Sequence, residues 1–452
     1  MPFWLLFLLC CAPLAQSQQW QTSIPDLHIT SIAVNPRNPA TIYVGGIGRV
    51  LYKTTDGGAV WTELGIGNPG GDAFMSSIVV HPGDTNIVLA AGNGHEGIAR
   101  STNGGDSWQT VLTDPSLRRI HFISDGIVVH PSAPDTLYAL RNTPMILYRS
   151  ANRGATWDSL SSLASTRATD RARCIAIAPD STNIILAGGR ISEVHRSTDG
   201  GRTFVVAQRL SGHPDGEIAR FVWSLTVPGT VYSVSLKFVQ ANVPDNGGIH
   251  KSTDWGATWE RLADDNVSLN ALAAIPGPSG KDELYTGGAA FYPAQAEVVG
   301  NTVIQRSLDG GETWTVTDAP AWNIDPFSNT TLGNVWALVP AWIPGSPTIF
   351  MATESGLFRT SPVTSVSETR TASQLSSRVF SFGSYIEVDS DVFARGEAAF
   401  VDIVSLAGSR VQRVIHRDSG NRAIVHTAHL SRGVYAVVTT SSVGESVTLF
   451  VR

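Results

Sequence analysis

A single eight-residue pattern constrains this chain more than any other feature. A hydroxyl residue is followed two positions on by Asp or Asn, two further on by Gly, and at the eighth position by an aromatic. It occurs as TTDGGAVW (54–61), STNGGDSW (101–108), SANRGATW (150–157), STDGGRTF (197–204), STDWGATW (252–259) and SLDGGETW (307–314). The third position is Asp56, Asn103, Asn152, Asp199, Asp254 or Asp309, so the copies lie 47, 49, 47, 55 and 55 residues apart. A repeat of about 50 residues points to a propeller or a solenoid.

The surroundings of each copy choose between them. An apolar strand opens each unit, as in Ser31-Ile-Ala-Val34, Ser77-Ile-Val-Val80, Gly126-Ile-Val-Val129 and Cys174-Ile-Ala-Ile177. A turn rich in Pro, Asn and Asp follows, then a second strand such as Thr41-Ile-Tyr-Val44 or Asn183-Ile-Ile-Leu186. A third strand runs into the box and a fourth leaves from its aromatic. Four short strands with turn signals between them make one propeller blade. A seventh unit supplies only three strands, Val335-Trp-Ala-Leu338, Thr348-Ile-Phe-Met351 and Gly356-Leu-Phe-Arg359, and then runs into Thr360-Ser-Pro362 without a box. Gln19-Trp20-Gln21-Thr22 matches Ser107-Trp-Gln-Thr110. The N-terminal strand is therefore predicted to complete blade seven and close the ring, which removes two exposed sheet edges. The fold class expected is all-β, a seven-bladed propeller followed by a small sandwich.

The box resembles the Asp-box of sialidase-like (BNR) repeats, whose propellers include sialidases, xyloglucanases, sortilin and photosystem II assembly factors. The resemblance covers nearly all of residues 19–361 and implies the fold; those relatives do very different things, so it does not settle a function. A catalytic acid would not be needed six times, nor replaced by Asn twice. The box is read as a fastener, in which the hydroxyl and the carboxylate accept backbone N–H groups and the aromatic packs on the sheet or its neighbour. Two consecutive turns begin His81-Pro and His130-Pro, which look architectural.

The boxes occupy one end of the propeller, and loop variation at the other end marks the binding side. The loops of blades three and four there are basic, with Arg118, Arg119, Arg141, Arg167, Arg171 and Arg190. A guanidinium fork suits carboxylate or phosphate. Sialidases hold a substrate carboxylate with three arginines, but these positions do not align to that triad and the Phe-Arg-Ile-Pro motif of the family is absent; Phe358-Arg-Thr-Ser361 is a partial echo. The loops of blades five and six carry Asp215, Glu217, Asp245, Glu297 and Asp325 with Phe291, Tyr292 and Trp322, and blade two adds His95-Glu96. Paired carboxylates are the machinery of glycosidases, and aromatic faces stack on sugars. No His or Cys spacing suggests a metal, and no cofactor is expected. A net charge of −6 gives no nucleic-acid footprint.

Residues 1–17 read as a secretory signal, with an apolar run from Phe3 to Cys11 and a small-residue site at Ala15-Gln16-Ser17, although no Lys or Arg precedes the run. The run is too short to span a membrane, which takes about 20 residues. Signal removal leaves Cys174 alone, so no intrachain disulfide is expected. The propeller is assigned to 18–362 and a Ser/Thr-rich linker to 363–377. A β-sandwich follows over 378–452, its strands including Val434-Tyr-Ala-Val-Val438 and Val447-Thr-Leu-Phe-Val451. Through Val401-Asp-Ile-Val-Ser-Leu-Ala-Gly-Ser-Arg-Val411 and Leu430-Ser-Arg-Gly-Val-Tyr435 this segment resembles the C-terminal sorting domain of type IX secretion cargo. It departs from that family in lacking the early Pro-Asn-Pro and the Asp before Gly-x-Arg. The resemblance implies passage through the periplasm and across an outer membrane with that machinery as partner. Three functions are weighed for what is expected to be a monomer. They are a non-catalytic surface propeller binding a polysaccharide or protein, a glycoside hydrolase of the xyloglucanase or sialidase type, and an assembly factor for a membrane complex.

Overall fold

In the computed structural model the described residues are 20–48, 51–65, 74–93, 97–113, 126–163, 171–211, 216–236, 247–263, 268–277, 280–288, 304–317, 334–343 and 346–360, together with seven strands between 377 and 451. Every named element is a strand. Seven four-stranded antiparallel sheets form the propeller, six of them from consecutive strands. Blade four is typical: Ala172–Ile177 lies innermost, followed outward by Ile185–Gly189, Glu193–Ser197 and Val205–Arg209.

Blade seven is the exception, and the N-terminal strand completes it. Trp20–Pro25 pairs antiparallel with Gly356–Thr360, in register from Trp20 opposite Thr360 to Pro25 opposite Gly356. The ring is therefore held shut by backbone hydrogen bonds between its two ends, as the match of Trp20–Thr22 to an outer strand predicts.

Alternation along the inner strands faces each blade toward both neighbours, so the core is divided among the seams. Seven apolar clusters are found among the described residues, one per seam. The seam of blades four and five holds Cys174, Leu186, Val194, Ile218, Phe221 and Trp259. The closing seam of blades seven and one holds Ile24 and Phe350 with Ile42. In the seam of blades four and five Cys174 is fully buried as a small apolar residue.

Because the third strand ends in a box, the inner strand ends at the same end of the blade and begins at the opposite, box-free end. There the inner strands of blades one, two, four, five and seven are each broken by a register shift, at Thr30, Ser76, Arg173, Ala219 and Trp336. Such bulges twist a strand and re-aim side chains.

The described strands between 377 and 451 belong to a second compact unit. Its C-terminal strands form a three-stranded antiparallel sheet of Ser377–Ser381, Tyr385–Ser390 and Arg422–His426, and a four-stranded sheet of Arg410–His416, Ala399–Ser405, Val434–Ser441 and Gly444–Val451. Among the described residues no helix is long and apolar enough to cross a membrane.

Candidate binding face

The two ends of the propeller differ in chemistry, and the box end is the more regular. In each box the first hydroxyl accepts the N–H of the second glycine position, from Gly58, Gly105, Gly154, Gly201, Gly256 and Gly311, at 2.8–3.0 Å. The same hydroxyl donates to the Asp or Asn Oδ1. That oxygen in turn accepts N–H groups from the end of the turn, such as Val60, Ser107 and Thr203. Asn serves as well as Asp because only an acceptor is needed, and Nδ2 of Asn103 and Asn152 donates to Ser107 and Thr156.

The carboxylates are consequently held ionised. Hydrogen bonds from the Thr203 hydroxyl and amide bring Asp199 down to about 2. At Asp309 partial burial opposes ionisation, but the Thr313 and Ser307 hydrogen bonds outweigh it and the group also lies at about 2. Such groups make poor proton donors near neutrality, and each is saturated by its own turn.

Both box glycine positions have positive φ. The first tolerates side chains in the left-handed region, since Arg153 (φ 60°) and Trp255 (φ 56°) occupy it. The second is different. A Cβ on Gly154 would lie 2.4 Å from Leu89 Cδ2, and one on Gly311 2.5 Å from Leu262 Cδ1. The preceding blade packs into the space glycine leaves, and the box aromatic fills the same seam: Trp108 between blades one and two, Trp259 between four and five.

A further latch was not read from the sequence, although its signal is plain there. A Lys or Arg immediately precedes the hydroxyl in all seven units: Lys53, Arg100, Arg149, Arg196, Lys251, Arg306 and Arg359. Four of these reach the next blade and donate to the carbonyl of the first glycine position, Lys53 to Gly104, Arg100 to Arg153, Arg196 to Trp255 and Arg359 to Gly57, at 2.7–2.9 Å. Arg359 makes its bond across the closing seam. Blade seven has no box for Arg306 to reach, and Arg306 pairs with Glu283 at 2.7 Å instead. The turn histidines also serve the frame, His81 Nδ1 accepting from Gly83 and Asp84 and His130 Nδ1 from Ala133.

The box-free end carries the irregular chemistry. Of the residues singled out there, Arg141, Arg171, Arg190 and Glu217 are described. Arg118, Arg119, Arg167, His95, Glu96, Asp215, Asp245, Glu297, Asp325, Phe291, Tyr292 and Trp322 lie outside the described residues. The structure brings the first group together through backbone contacts. Arg141 belongs to the middle hairpin of blade three, where its N–H bonds Ile146. The carbonyl of the adjacent Asn142 accepts from Ala172 at the start of blade four. Arg171 accepts from the Arg190 N–H at 2.9 Å, Arg190 forms a bridge with Glu217 of blade five, and Ser192 donates to Gly216. Three arginines thus stand on one continuous run of main-chain hydrogen bonds across blades three to five.

Beneath that run the channel wall is polar. Arg173, placed by the blade-four bulge, lies buried with Nη1 2.5 Å from Glu217 Oε2. Its Nη2 reaches Asn270 Oδ1 of blade six at 3.2 Å, and Asn270 Nδ2 donates to the Val335 carbonyl of blade seven at 3.1 Å. One guanidinium therefore ties blades four, five and six together. Glu217, the one described member of the five candidate acids, spends an oxygen on this pair and its side chain is only 9% exposed. At the closing seam His28 stacks on Trp336, with ring centroids 5.5 Å apart. Among the described residues no three His, Cys, Asp or Glu side chains are grouped to hold a metal.

These features define a seven-bladed β-propeller with a fastened box end and a charged box-free end. No family model and no curated protein matches the chain. Solved structures do. A structure of YCF48 bound to a D1 peptide is 17% identical, with a TM-score of 0.52 over 77% of this chain and 98% of that one. The GH74 xyloglucanase from Xanthomonas campestris is 15% identical, with a TM-score of 0.56 over 95% and 75% of the two chains. An ancestral GH74 enzyme is 15% identical, with a TM-score of 0.55 over 97% and 64%. At such identities the likeness is one of fold, and it spans a peptide-bound protein and hydrolases.

Proposed function

We propose that this chain is an exported, non-catalytic propeller that binds an anionic polysaccharide or protein segment on its box-free face. The observation that carries this reading is the backbone-bonded run that brings Arg141, Arg171, Arg190 and Glu217 together at the box-free end. The run fixes where these side chains leave the main chain, and a guanidinium fork suits a carboxylate or phosphate. The engagement of Glu217 by Arg173 supports binding over hydrolysis, because an acid already paired in a channel wall is poorly placed to protonate a leaving group. The solved YCF48 structure holding a peptide supports a protein ligand as one form of such a partner.

In the same proposal residues 1–17 direct export, 18–362 form the binding propeller, 363–377 link it to the tail, and 378–452 form a sandwich read by type IX secretion machinery, with the cell surface or medium as destination. The test is retention of the full chain on immobilised polyuronate, polyglutamate and a neutral glucan. Retention on the acidic matrices alone, lost with Arg171→Ala/Arg190→Ala, supports the reading. Equal retention of wild type and variant on every matrix overturns it.

A further inference from the structure

The seam between blades four and five changes character along its length. Its box-side half is apolar, built on Ala176, Ala178, Ile184, Leu186 and Trp259. Toward the box-free end the blade-five face presents polar side chains instead. Ser233 stands opposite His250, and His250 opposite Arg261, in one cross-strand row; Ser235 follows two residues along the same strand. Directly opposed residues on antiparallel strands share a face, with Cβ atoms about 5 Å apart. Phe221, which packs in the seam, is the partner of Ser233 and fixes which face this is. From blade four, Ser192 closes on the same place: its carbonyl accepts the Leu210 N–H at 2.8 Å, and the Leu210 backbone holds His250.

These groups are buried and unmatched. Ser192, Ser233 and Ser235 are fully buried and His250 is 3% exposed. The three Oγ atoms and His250 Nδ1 have no protein hydrogen-bond partner. With Nε2 turned to the Leu210 carbonyl, Nδ1 offers a lone pair, while each hydroxyl can donate and accept. Strain marks the same spot. Ile191 and Ser192 both sit at positive φ, 63° and 53°, in the turn between the second and third strands of blade four. Left-handed backbone is uncommon for side-chain-bearing residues and marked for a β-branched one, and such strain gathers where surrounding structure requires it.

We propose that the box-free half of this seam is a built hydration site, in which ordered water bridges Ser192, Ser233, Ser235 and His250. Burial to this degree admits only a very small occupant, and an occupant that both donates to an imidazole and accepts from hydroxyls is water. Each buried water makes about three hydrogen bonds, so four unmatched atoms beside the Arg261 guanidinium call for about two. The site lies directly under the Ser192–Gly216 bond at the arginine-bearing face, so these waters form part of the floor on which that face is mounted.

The test is oxygen-17 relaxation dispersion of the full chain in water, wild type against Ser233→Val/Ser235→Val. The site predicts a loss of about two long-lived waters in the variant; an unchanged dispersion amplitude with a folded variant overturns it. Should the variant not fold, a high-resolution electron-density map of the wild type decides. Peaks of water size within hydrogen-bond distance of Ser233 Oγ, Ser235 Oγ and His250 Nδ1 sustain the site. A map with no peak there, or with a larger solute, refutes it.

Discussion

The second glycine of each box should be irreplaceable while the first is not, and blade six gives the cleanest comparison. Gly310 has φ 74° and Gly311 φ 92°. At the first position Arg153 and Trp255 show that side chains fit. Gly310→Asn should therefore cost no more than about 1 kcal/mol, since Asn accepts the left-handed region better than most residues. Gly311→Ala meets two penalties together. Left-handed backbone costs an alanine about 1–2 kcal/mol, and the new Cβ stands 2.5 Å from Leu262 Cδ1 in a filled seam. Overpacking of that kind costs about 1–3 kcal/mol. The sum is about 2–5 kcal/mol. For a propeller of about 340 residues unfolding as one unit, an entropy near 2 cal/mol/K per residue makes 3 kcal/mol a fall of about 4 °C in Tm. Differential scanning calorimetry on wild type and both variants measures it. Equal Tm values for Gly311→Ala and Gly310→Asn would refute the argument that blade packing, rather than turn conformation alone, selects the second glycine.

Three further outcomes follow from the same geometry. Arg173→Met should destabilise by about 3–5 kcal/mol, because it leaves Glu217 buried without its partner, and adding Glu217→Gln should recover part of the loss; urea midpoints of the single and double variants read this directly. Burial lowers His250 to about 4, with the Arg261 guanidinium adding to the effect, and burial also lowers His28 to about 4. Both stay neutral in the folded protein while the unfolded chain takes up protons below pH 6.5, so their contribution should be full above that pH, fall on acidification and level off near pH 4, below which the depressed box carboxylates take over the loss. The drop for His250 is on the order of 3 kcal/mol, and a flat urea midpoint between pH 7.5 and 4.5 would contradict it. Arg359→Gln removes the bond from the last strand to Gly57 and should loosen ring closure selectively; amide exchange should rise in Trp20–Pro25 before it rises in blades three and four.

Much of the fold is legible because it repeats. Six boxes in register, a strand on either side of each, and the likeness of Trp20–Thr22 to an outer strand fix the blade count and the way the ring closes. The cation before every box was equally visible, but its target is a backbone carbonyl of the next blade, and no local pattern announces that. Arg173 was harder. In sequence it sits beside the apolar run Cys174-Ile-Ala-Ile177, and its partners Glu217 and Asn270 are 44 and 97 residues away. A bulge aims it into the channel, and a bulge leaves little trace in an alternating pattern. Arg141, Arg171 and Arg190 stand out in the sequence as basic loop residues but are not joined there, because what joins them is hydrogen bonding between main-chain groups. Apart from Glu217, the aromatic and acidic candidates of blades five and six fall on residues outside the described ones.

The claim that matters most is that this propeller holds a ligand without cutting it. The direct measurement is mass analysis of soluble products after incubating the purified chain with a panel of acidic and neutral polysaccharides and acidic peptides. The account predicts intact polymers throughout, together with retention of the protein on acidic members that Arg171→Ala/Arg190→Ala abolishes. New reducing ends from any polysaccharide, lost on substitution of an acid at the box-free face, would contradict it and make the protein a glycoside hydrolase.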